Sequence, residues 1–293
     1  MINQTERAKI LIEALPYIQR FNASTMVIKY GGNAMINEDL KHNFALDIIL
    51  MKYVGINPII VHGGGPQIGE FLDRLNIKTE FIEGLRVTDK ESMDIIEMVL
   101  MGRVNKEIVN LINKNKGCAV GLSGKDGKLI IAKKMRYLRH RGDNRAPDII
   151  DIGLVGEIVS INSKILESLT RDGFIPIIAP VGADENGQTY NINADIVAGH
   201  IASAIKARKL ILLTDTKGVL DKNGNLISSL KISEAKKLIS DRTVTGGMIP
   251  KLRCCIQALE NGVKKAHIID GRQKHAILLE IFTKGGIGTE IIR

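Results

Sequence analysis

Short runs of apolar and β-branched residues alternate with amphipathic stretches along almost the whole chain. Thr25–Tyr30 is a strand-like run that ends at Gly31-Gly32, and residues 39–53 follow it with helical spacing. Residues 57–61 form a second apolar run, closed by His62 and three glycines. Pro66 sits where the next helix would begin, a place that suits proline because the first helical N–H groups have no partner. Residues 92–114 read as one long amphipathic helix, with Ile95, Ile96, Val99, Leu100, Val104, Ile108 and Leu111 on one stripe. Residues 118–122 and 128–133 read as strands joined by a hairpin turn at Asp126-Gly127. Residues 154–161 and 174–179 are further strands, with a helix at 164–172 between them.

The second half repeats this grammar. A helix at 193–206 leads to a buried strand at Lys209–Thr214, then a turn at Asn223-Gly224. A short helix capped by Ser233 runs through Ile239, and a helix at 248–261 stops at Gly262. Lys265–Asp270 is a strand, 275–282 a short helix and 288–292 a closing strand. Such alternation predicts an α/β fold around a mostly parallel sheet. No internal repeat, low-complexity tract or linker interrupts it. The reading is two lobes in one body, divided near residue 180, with an N-terminal helix at Gln4–Phe21 whose apolar stripe is Ile10, Leu11, Leu15 and Ile18.

With 293 residues, 44% hydrophobic and 25% charged, the chain is long enough and apolar enough for a globular core. No apolar run approaches the ~18–20 residues of a membrane span. Glu6, Lys9 and Glu13 interrupt the N-terminal pattern, unlike a secretory signal, so a cytoplasmic protein without membrane contact is expected. Cys118, Cys254 and Cys255 fit neither a metal pattern nor a CxxC pair and are expected to be buried, reduced thiols. The net charge of +9 raises nucleic-acid binding as an alternative. Only residues 133–145 are densely basic, however, and 4% aromatics supply few stacking platforms. A small anionic substrate uses the same field, and the basic stretch reads as a solvated loop beside the cleft.

Three glycine clusters follow strands: Gly31-Gly32, Gly63-Gly64-Gly65 and Gly246-Gly247. Glycine at a strand end lets backbone N–H groups approach a phosphate, and a helix starting at Pro66 would aim its positive end at an anion there. Each cluster alone is equally a plain turn. Gly124-Lys125 is followed by Asp126 and is no P-loop. The spacing of Gly63, Gly65 and Gly69 is not the dinucleotide fingerprint. Asp221 to Asn225 lacks the glycine and closing glutamate of a calcium loop and reads as a turn. Lys29, Lys217, Lys251 and Asp195 stand beside these features. Two cations flanking an anion, with an acid between them, suit phosphoryl transfer, although any one of these lysines by itself reads as a solvated surface charge.

Taken together, these blocks resemble the amino acid kinase family over essentially the whole chain. They are KYGGNAM (29–35), VHGGGPQI (61–68), EGLRVTD (83–89), GLSGKDG (121–127), GLVGEI (153–158), NINAD (191–195), LLTDTKGV (212–219) and GGMIPK (246–251). KYGG and VHGGG are shared widely in the family. GLRVTD, NINAD and GGMIPK are narrower and are similar to members that phosphorylate N-acetyl-L-glutamate. The resemblance implies a three-layer αβα sandwich and transfer of the ATP γ-phosphate to the side-chain carboxylate. The product would be N-acetyl-L-glutamyl 5-phosphate, in the second step of arginine biosynthesis. It implies that Lys29 and Lys251 stabilise the moving group and Asp195 orients them. Gly31, Gly32 and Gly64 would supply backbone donors, and Gly64, Gly65, Arg86 and Asn191 would hold the substrate. Arg86 would take its α-carboxylate, a planar anion that suits a guanidinium. Thr214, Asp215, Thr216, Lys217, Gly218, Val219, Thr243, Val244 and Thr245 would line the ATP site. Mg²⁺ would arrive with ATP and need no dedicated protein ligands.

The resemblance also divides the chain into an N-terminal helix for oligomerisation or regulation (1–22), an acetylglutamate-binding lobe (23–180) and an ATP-binding lobe (181–293). An N-terminal helix of this kind implies a homo-hexamer, a trimer of dimers, inhibited by L-arginine. The alternative is an ordinary helix packed on its own domain. Glu280, with Tyr17, Lys209, His267 and Gly286, is the arginine site that the resemblance implies.

Overall fold

The computed structural model describes residues 3–82, 84–139 and 148–293. Eight strands form its main sheet: β1 (Thr25–Tyr30), β2 (Asn57–His62), β3 (Ala119–Ser123), β4 (Ile175–Ala179), β5 (Lys209–Thr214), β6 (Ser229–Lys231), β7 (Lys265–Asp270) and β8 (Thr289–Ile292). Their order is β6-β8-β7-β5-β1-β2-β4-β3. Neighbours are parallel except β7 with β8. Because β1 pairs with β2 on one side and β5 on the other, the sheet runs unbroken through both halves of the sequence.

The helices are α1 (Gln4–Phe21), α2 (Glu38–Tyr53), α3 (Gly65–Arg74), α4 (Lys90–Glu97), α5 (Asn105–Lys114), α6 (Lys164–Arg171), α7 (Ala194–Ala204), α8 (Ile232–Ser240), α9 (Met248–Glu260) and α10 (Ala276–Phe282). Successive strand side chains point to opposite faces, and here both faces are covered. Met26, Ile28, Tyr30, Ile60, Ile177 and Ile211 face a layer built from α1 to α5 and α10. Val27, Ile59, Val61, Ile178, Leu210 and Leu212 face α6 to α9. The result is a three-layer αβα sandwich whose strands read as near-continuous apolar runs because neither face meets water.

A smaller sheet, ordered Thr189–Asn191, Val181–Ala183, Ile130–Lys134, Gly156–Ile161, stands beside the main one. It corrects the expected hairpin at Asp126-Gly127. Ala119–Ser123 stays in the main sheet while Ile130–Lys134 joins the smaller one. The turn between them is tied instead by Asp126 Oδ2, which accepts from the Ser123 N–H at 2.6 Å. The long helix expected at 92–114 is continuous, but its centre, Met98–Val104, is π-helical. Ser233 lies inside α8 rather than capping it; Lys231 is the cap residue, its N–H bonded to Glu234. Cys118 is exposed, unlike Cys254 and Cys255. Asp221 Oδ1 accepts from the N–H groups of Asn223 and Asn225, closing the expected turn. Residues 140–145 of the basic stretch lie outside the described residues, and Lys133 and Lys134 pair with Glu157 and Asp151. Among the described residues no helix is long and apolar enough to cross a membrane.

α7 and α9 approach closely because Gly199 has no side chain. A Cβ there would lie 2.6 Å from Cys254 Sγ. Gly199→Ala should therefore cost stability, since overpacking of about 1–3 kcal/mol outweighs the helix-propensity gain of about 0.5–1 kcal/mol. Adding Cys254→Ala should recover most of the loss, because the next nearest backbone atom is 3.6 Å away. Urea unfolding of the single and double variants measures both effects.

Candidate active site

The carboxyl ends of β1, β2, β4 and β5 open on one edge of the sheet, where open parallel sheets hold their ligands. Lys29 is the penultimate residue of β1, and its parity with Val27 turns it toward α7 and α9. Asn193 caps α7: its Oδ1 accepts from the N–H groups of Asp195 (2.9 Å) and Ile196 (3.3 Å), which places Asp195 in the first turn. Lys251 comes from the first turn of α9.

These three side chains meet. Lys29 Nζ is 3.2 Å from Asp195 Oδ1, and Lys251 Nζ is 2.6 Å from Oδ2. Lys251 donates an aligned hydrogen bond; the Lys29 contact is an ion pair outside hydrogen-bond alignment. Asp195 is only 5% exposed. Burial alone would push its carboxyl up, but the two ammonium groups hold it below the usual carboxylate range. One carboxylate and two ammoniums leave a net positive charge in a mostly dry site, which is what an incoming anion needs. Cys254, one turn beyond Lys251, donates its S–H to the Asp195 carbonyl at 2.9 Å.

The glycine loops border this cluster. Gly31 lies against Lys29, whose Nζ would be 2.6 Å from a Cβ there. Gly32 has φ +71°, a left-handed conformation that favours glycine, and a Cβ would meet the Asp215 carboxylate at 2.6 Å. Asp215 Oδ1 accepts from the Asn33 N–H at 2.8 Å, so the loop after β5 is locked to the loop after β1. A Cβ on Gly64 would run into Leu100 of the π-helical segment, whereas Gly65 faces open space.

Arg86 sits at the other end of the glycine loop. Its Nη2 donates to the Gly65 carbonyl (3.2 Å) and Nη1 to Thr79 Oγ1 (3.0 Å). Phe81, its cross-strand partner in a two-stranded ribbon, lies under the guanidinium at 4.6 Å. Asn191 Nδ2 donates to Thr88 Oγ1 at 3.3 Å, and Thr88 Oγ1 donates to the Arg86 carbonyl at 2.8 Å. Thus Arg86, Gly65 and Asn191 share one hydrogen-bonded neighbourhood.

The remaining residues fall into two places. Thr214 ends β5, and the loop 215–219 turns back to β8, where the Val219 N–H is held by Thr289 Oγ1 at 2.8 Å. Thr243 is pinned by Asp241, and Val244 is buried in the same core as Val219. Tyr17, Lys209, His267, Glu280 and Gly286 line a separate cleft between α1, α10 and β7, together with Arg20. There Glu280 Oε1 is 2.8 Å from His267 Nδ1 and 3.2 Å from Lys209 Nζ, and Oε2 accepts from the Ile287 N–H at 3.0 Å. Burial opposes ionisation of Glu280, but these partners bring its pKa down to about 2.

Sequence reasoning did not single out Asn193, Thr88, Thr79, Phe81 or the Asp215–Asn33 bond as parts of the site. Asn193 carried a signal, an asparagine directly before a helix. The others become neighbours only through strand pairing and loop closure.

A pattern for the amino acid kinase family matches residues 24–270. The acetylglutamate kinase of Syntrophobacter fumaroxidans is 62% identical over 98% of this chain and 97% of its own. That of Oleidesulfovibrio alaskensis is 60% identical over 100% and 99%. Among solved structures, the N-acetylglutamate synthase of Neisseria gonorrhoeae complexed with coenzyme A and N-acetyl-glutamate superposes with a TM-score of 0.85 at 24% identity. It covers 98% of this chain, which spans 63% of the synthase. Carbamate kinase from Giardia lamblia bound to AMP-PNP gives 0.64 at 18% identity over 92% and 99%. At these identities the two structures speak for the fold.

The pH dependence follows from Glu280. Its folded value is depressed, so its stabilisation is complete above the ordinary glutamate value of about 4.3 and is lost as pH falls toward 2. Glu280→Gln should cost up to about 3 kcal/mol at neutral pH. It should also flatten the acid limb of a urea-stability profile between about pH 5 and 2.

Proposed function

Because the chain belongs to the amino acid kinase family, and within it to the acetylglutamate kinases, we propose that it moves the γ-phosphoryl group of ATP to the side-chain carboxylate of N-acetyl-L-glutamate. The product is N-acetyl-L-glutamyl 5-phosphate, an intermediate of arginine biosynthesis. The observation that carries the reading is the pairing of Lys29 and Lys251 on opposite oxygens of one buried carboxylate. A carboxylate oxygen of the acceptor attacks the γ-phosphorus, the bond to the ADP oxygen breaks, and charge spreads over the transferring oxygens. Lys29 meets that charge from β1 and Lys251 from α9. Asp195 holds the two cations near one another at fixed positions and stays ionised. Arg86 takes the α-carboxylate in a bidentate grip while Asn191 orients the substrate. Gly31, Gly32 and Gly64 supply backbone N–H donors, and residues 214–219 and 243–245 hold the nucleotide.

Mg²⁺ fits this site as a companion of the ATP phosphates, where it would offset their charge. Asp195 is engaged by two lysines, so its carboxylate is committed to them rather than to a metal ion. In this reading residues 23–180 form the acetylglutamate lobe with Arg86 and residues 181–293 the ATP lobe with 214–219 and 243–245, while Asn191 reaches from the second lobe to the Thr88–Arg86 neighbourhood of the first.

The second cleft supports feedback inhibition by L-arginine. Glu280 is an ionised, buried acceptor for a guanidinium, and Tyr17 brings α1 to the same cleft. α1 leaves Ile10, Leu11 and Ile12 exposed at 53%, 70% and 66%. Leu15, on the same stripe as Ile10 and Leu11, is exposed as well at 43%, and such an apolar face suits a contact between copies, as in a hexameric trimer of dimers. The setting is the cytoplasm, where ATP and amino-acid intermediates meet.

Hydroxylamine trapping of the acyl phosphate tests the reaction. The wild type should form it from ATP and N-acetyl-L-glutamate, and Lys29→Ala and Lys251→Ala should each lower kcat by about 10²–10³. Near-normal kcat in both variants would refute the roles given to them. Arg86→Lys should raise the KM for N-acetyl-L-glutamate by about tenfold with a smaller change for ATP. L-Arginine should raise the half-saturating N-acetyl-L-glutamate concentration of the wild type, and Glu280→Gln should weaken that effect. Unchanged kinetics at millimolar arginine, or a dimer by solution mass, would reject the regulatory reading.

A further inference from the structure

His62 ends β2, and its parity with Ile60 turns its imidazole away from the lysines, toward the layer that contains α5. The ring is fully buried, and burial holds it neutral, with a pKa pushed down to about 4. Its Nδ1 lies 2.7 Å from the Gly63 carbonyl oxygen. A carbonyl only accepts, so Nδ1 carries the proton. Nε2 is then an acceptor, and it faces the amide nitrogen of Asn105 at 3.2 Å. That amide also donates to the Ile177 carbonyl of β4 at 2.9 Å, with the Leu122 carbonyl a more distant third acceptor at 3.4 Å, and its oxygen receives Lys106 Nζ at 3.2 Å. Asn105 is 1% exposed and begins α5 directly after the π-helical segment. The tautomer of His62 is thus set by a side chain anchored in the central sheet.

In a trans peptide the C=O and the following N–H point in opposite directions. The Gly63 carbonyl is drawn toward His62, so the N–H of Gly64, in the same planar unit, is turned the other way. The Gly63 N–H is fixed as well, bonded to the Tyr30 carbonyl at 2.7 Å. Leu100 packs against the α-carbon of Gly64, which limits rotation of the loop. Three contacts from three elements therefore set the direction of one N–H.

We propose that His62, kept in its Nδ1–H tautomer by Asn105, is a positioning residue that aims the Gly64 N–H at the phosphoryl group in transfer. The proposal rests on the kinase reading above. It assigns His62 no contact with substrate; the imidazole acts only through the Gly63–Gly64 peptide.

Two isosteres separate this role from simple core packing. The amide N–H of asparagine falls near the position of Nδ1, whereas that of glutamine falls near Nε2. His62→Asn keeps a donor for the Gly63 carbonyl, and His62→Gln does not. Both variants are assayed for acyl-phosphate formation, with kcat expressed per folded molecule from urea unfolding. Loss of one aimed donor corresponds to about 10² in kcat, so His62→Gln should fall by about that factor and His62→Asn should retain at least about tenfold more. The KM for ATP should change less than about twofold in both. Equal kcat per folded molecule in the two variants would overturn the proposal. So would nitrogen NMR showing the Nε2–H tautomer of His62 in the wild type at neutral pH. A wild type with no activity toward N-acetyl-L-glutamate would overturn the kinase reading and this proposal together. An active wild type with indistinguishable variants would overturn this proposal alone.

Discussion

Two ammonium groups that repel one another are held in a nearly dry site by a single carboxylate. Everything near the cleft serves that arrangement. Asp195 needs both lysines to remain ionised when buried, and the lysines need Asp195 to stay close without water between them. Such a cluster is costly to bury and contributes little as a source of stability; its value lies in the net positive charge it presents. The geometry depends on three elements meeting: a central strand, the capped start of α7 and the first turn of α9. Gly199 and Cys254 set how closely the two helices approach. The Asn193 cap sets where Asp195 begins.

The glycine loops extend the same logic to neutral donors. Asp215 locks the loop after β1, His62 the loop after β2, and Arg86 reaches back to the Gly65 carbonyl. The loop after β1 is therefore fixed by one side chain and the loop after β2 by two, each from a different element. That suits electrostatic catalysis, in which donors must already point correctly when charge develops. His62 ends a strand of the main sheet and Asp215 directly follows another, whereas Arg86 reaches in from its two-stranded ribbon.

Much of this was legible in the sequence. The alternation of strands and helices anticipated an α/β fold around a mostly parallel sheet, the resemblance supplied the three layers, and period-two parity in β1 explains why Lys29 and Val27 share a face. The blocks around Lys29, Asp195 and Lys251 lie 56 or more residues apart; the chemistry of phosphoryl transfer suggested grouping them, and the resemblance assigned their roles. Other features were hidden for physical reasons. Met98–Val104 carries no proline or turn signal and its Val99, Leu100 and Val104 also fit an α-helical stripe, so the π-helical segment looked regular. Asp126-Gly127 has the composition of a hairpin turn, but the glycine at φ +58° serves a chain that changes sheets. His62 and Asn105 are 43 positions apart, and their hydrogen bond exists only because β2, β4 and α5 pack together. The cleft around Glu280 gathers residues from α1, β5, β7 and α10; the resemblance marked only the segment 275–291, and Tyr17, Lys209 and His267 join it through packing.

The most direct test of the central arrangement is the turnover of Asp195→Asn, measured per folded molecule with saturating ATP and N-acetyl-L-glutamate. Asparagine keeps the shape but cannot neutralise either lysine or hold the two at fixed separation. The account predicts a fall in kcat of about 10² or more, together with reduced stability from the unpaired buried ammoniums. A folded variant with kcat within about threefold of the wild type would contradict it, since the cations would then work without their shared anchor.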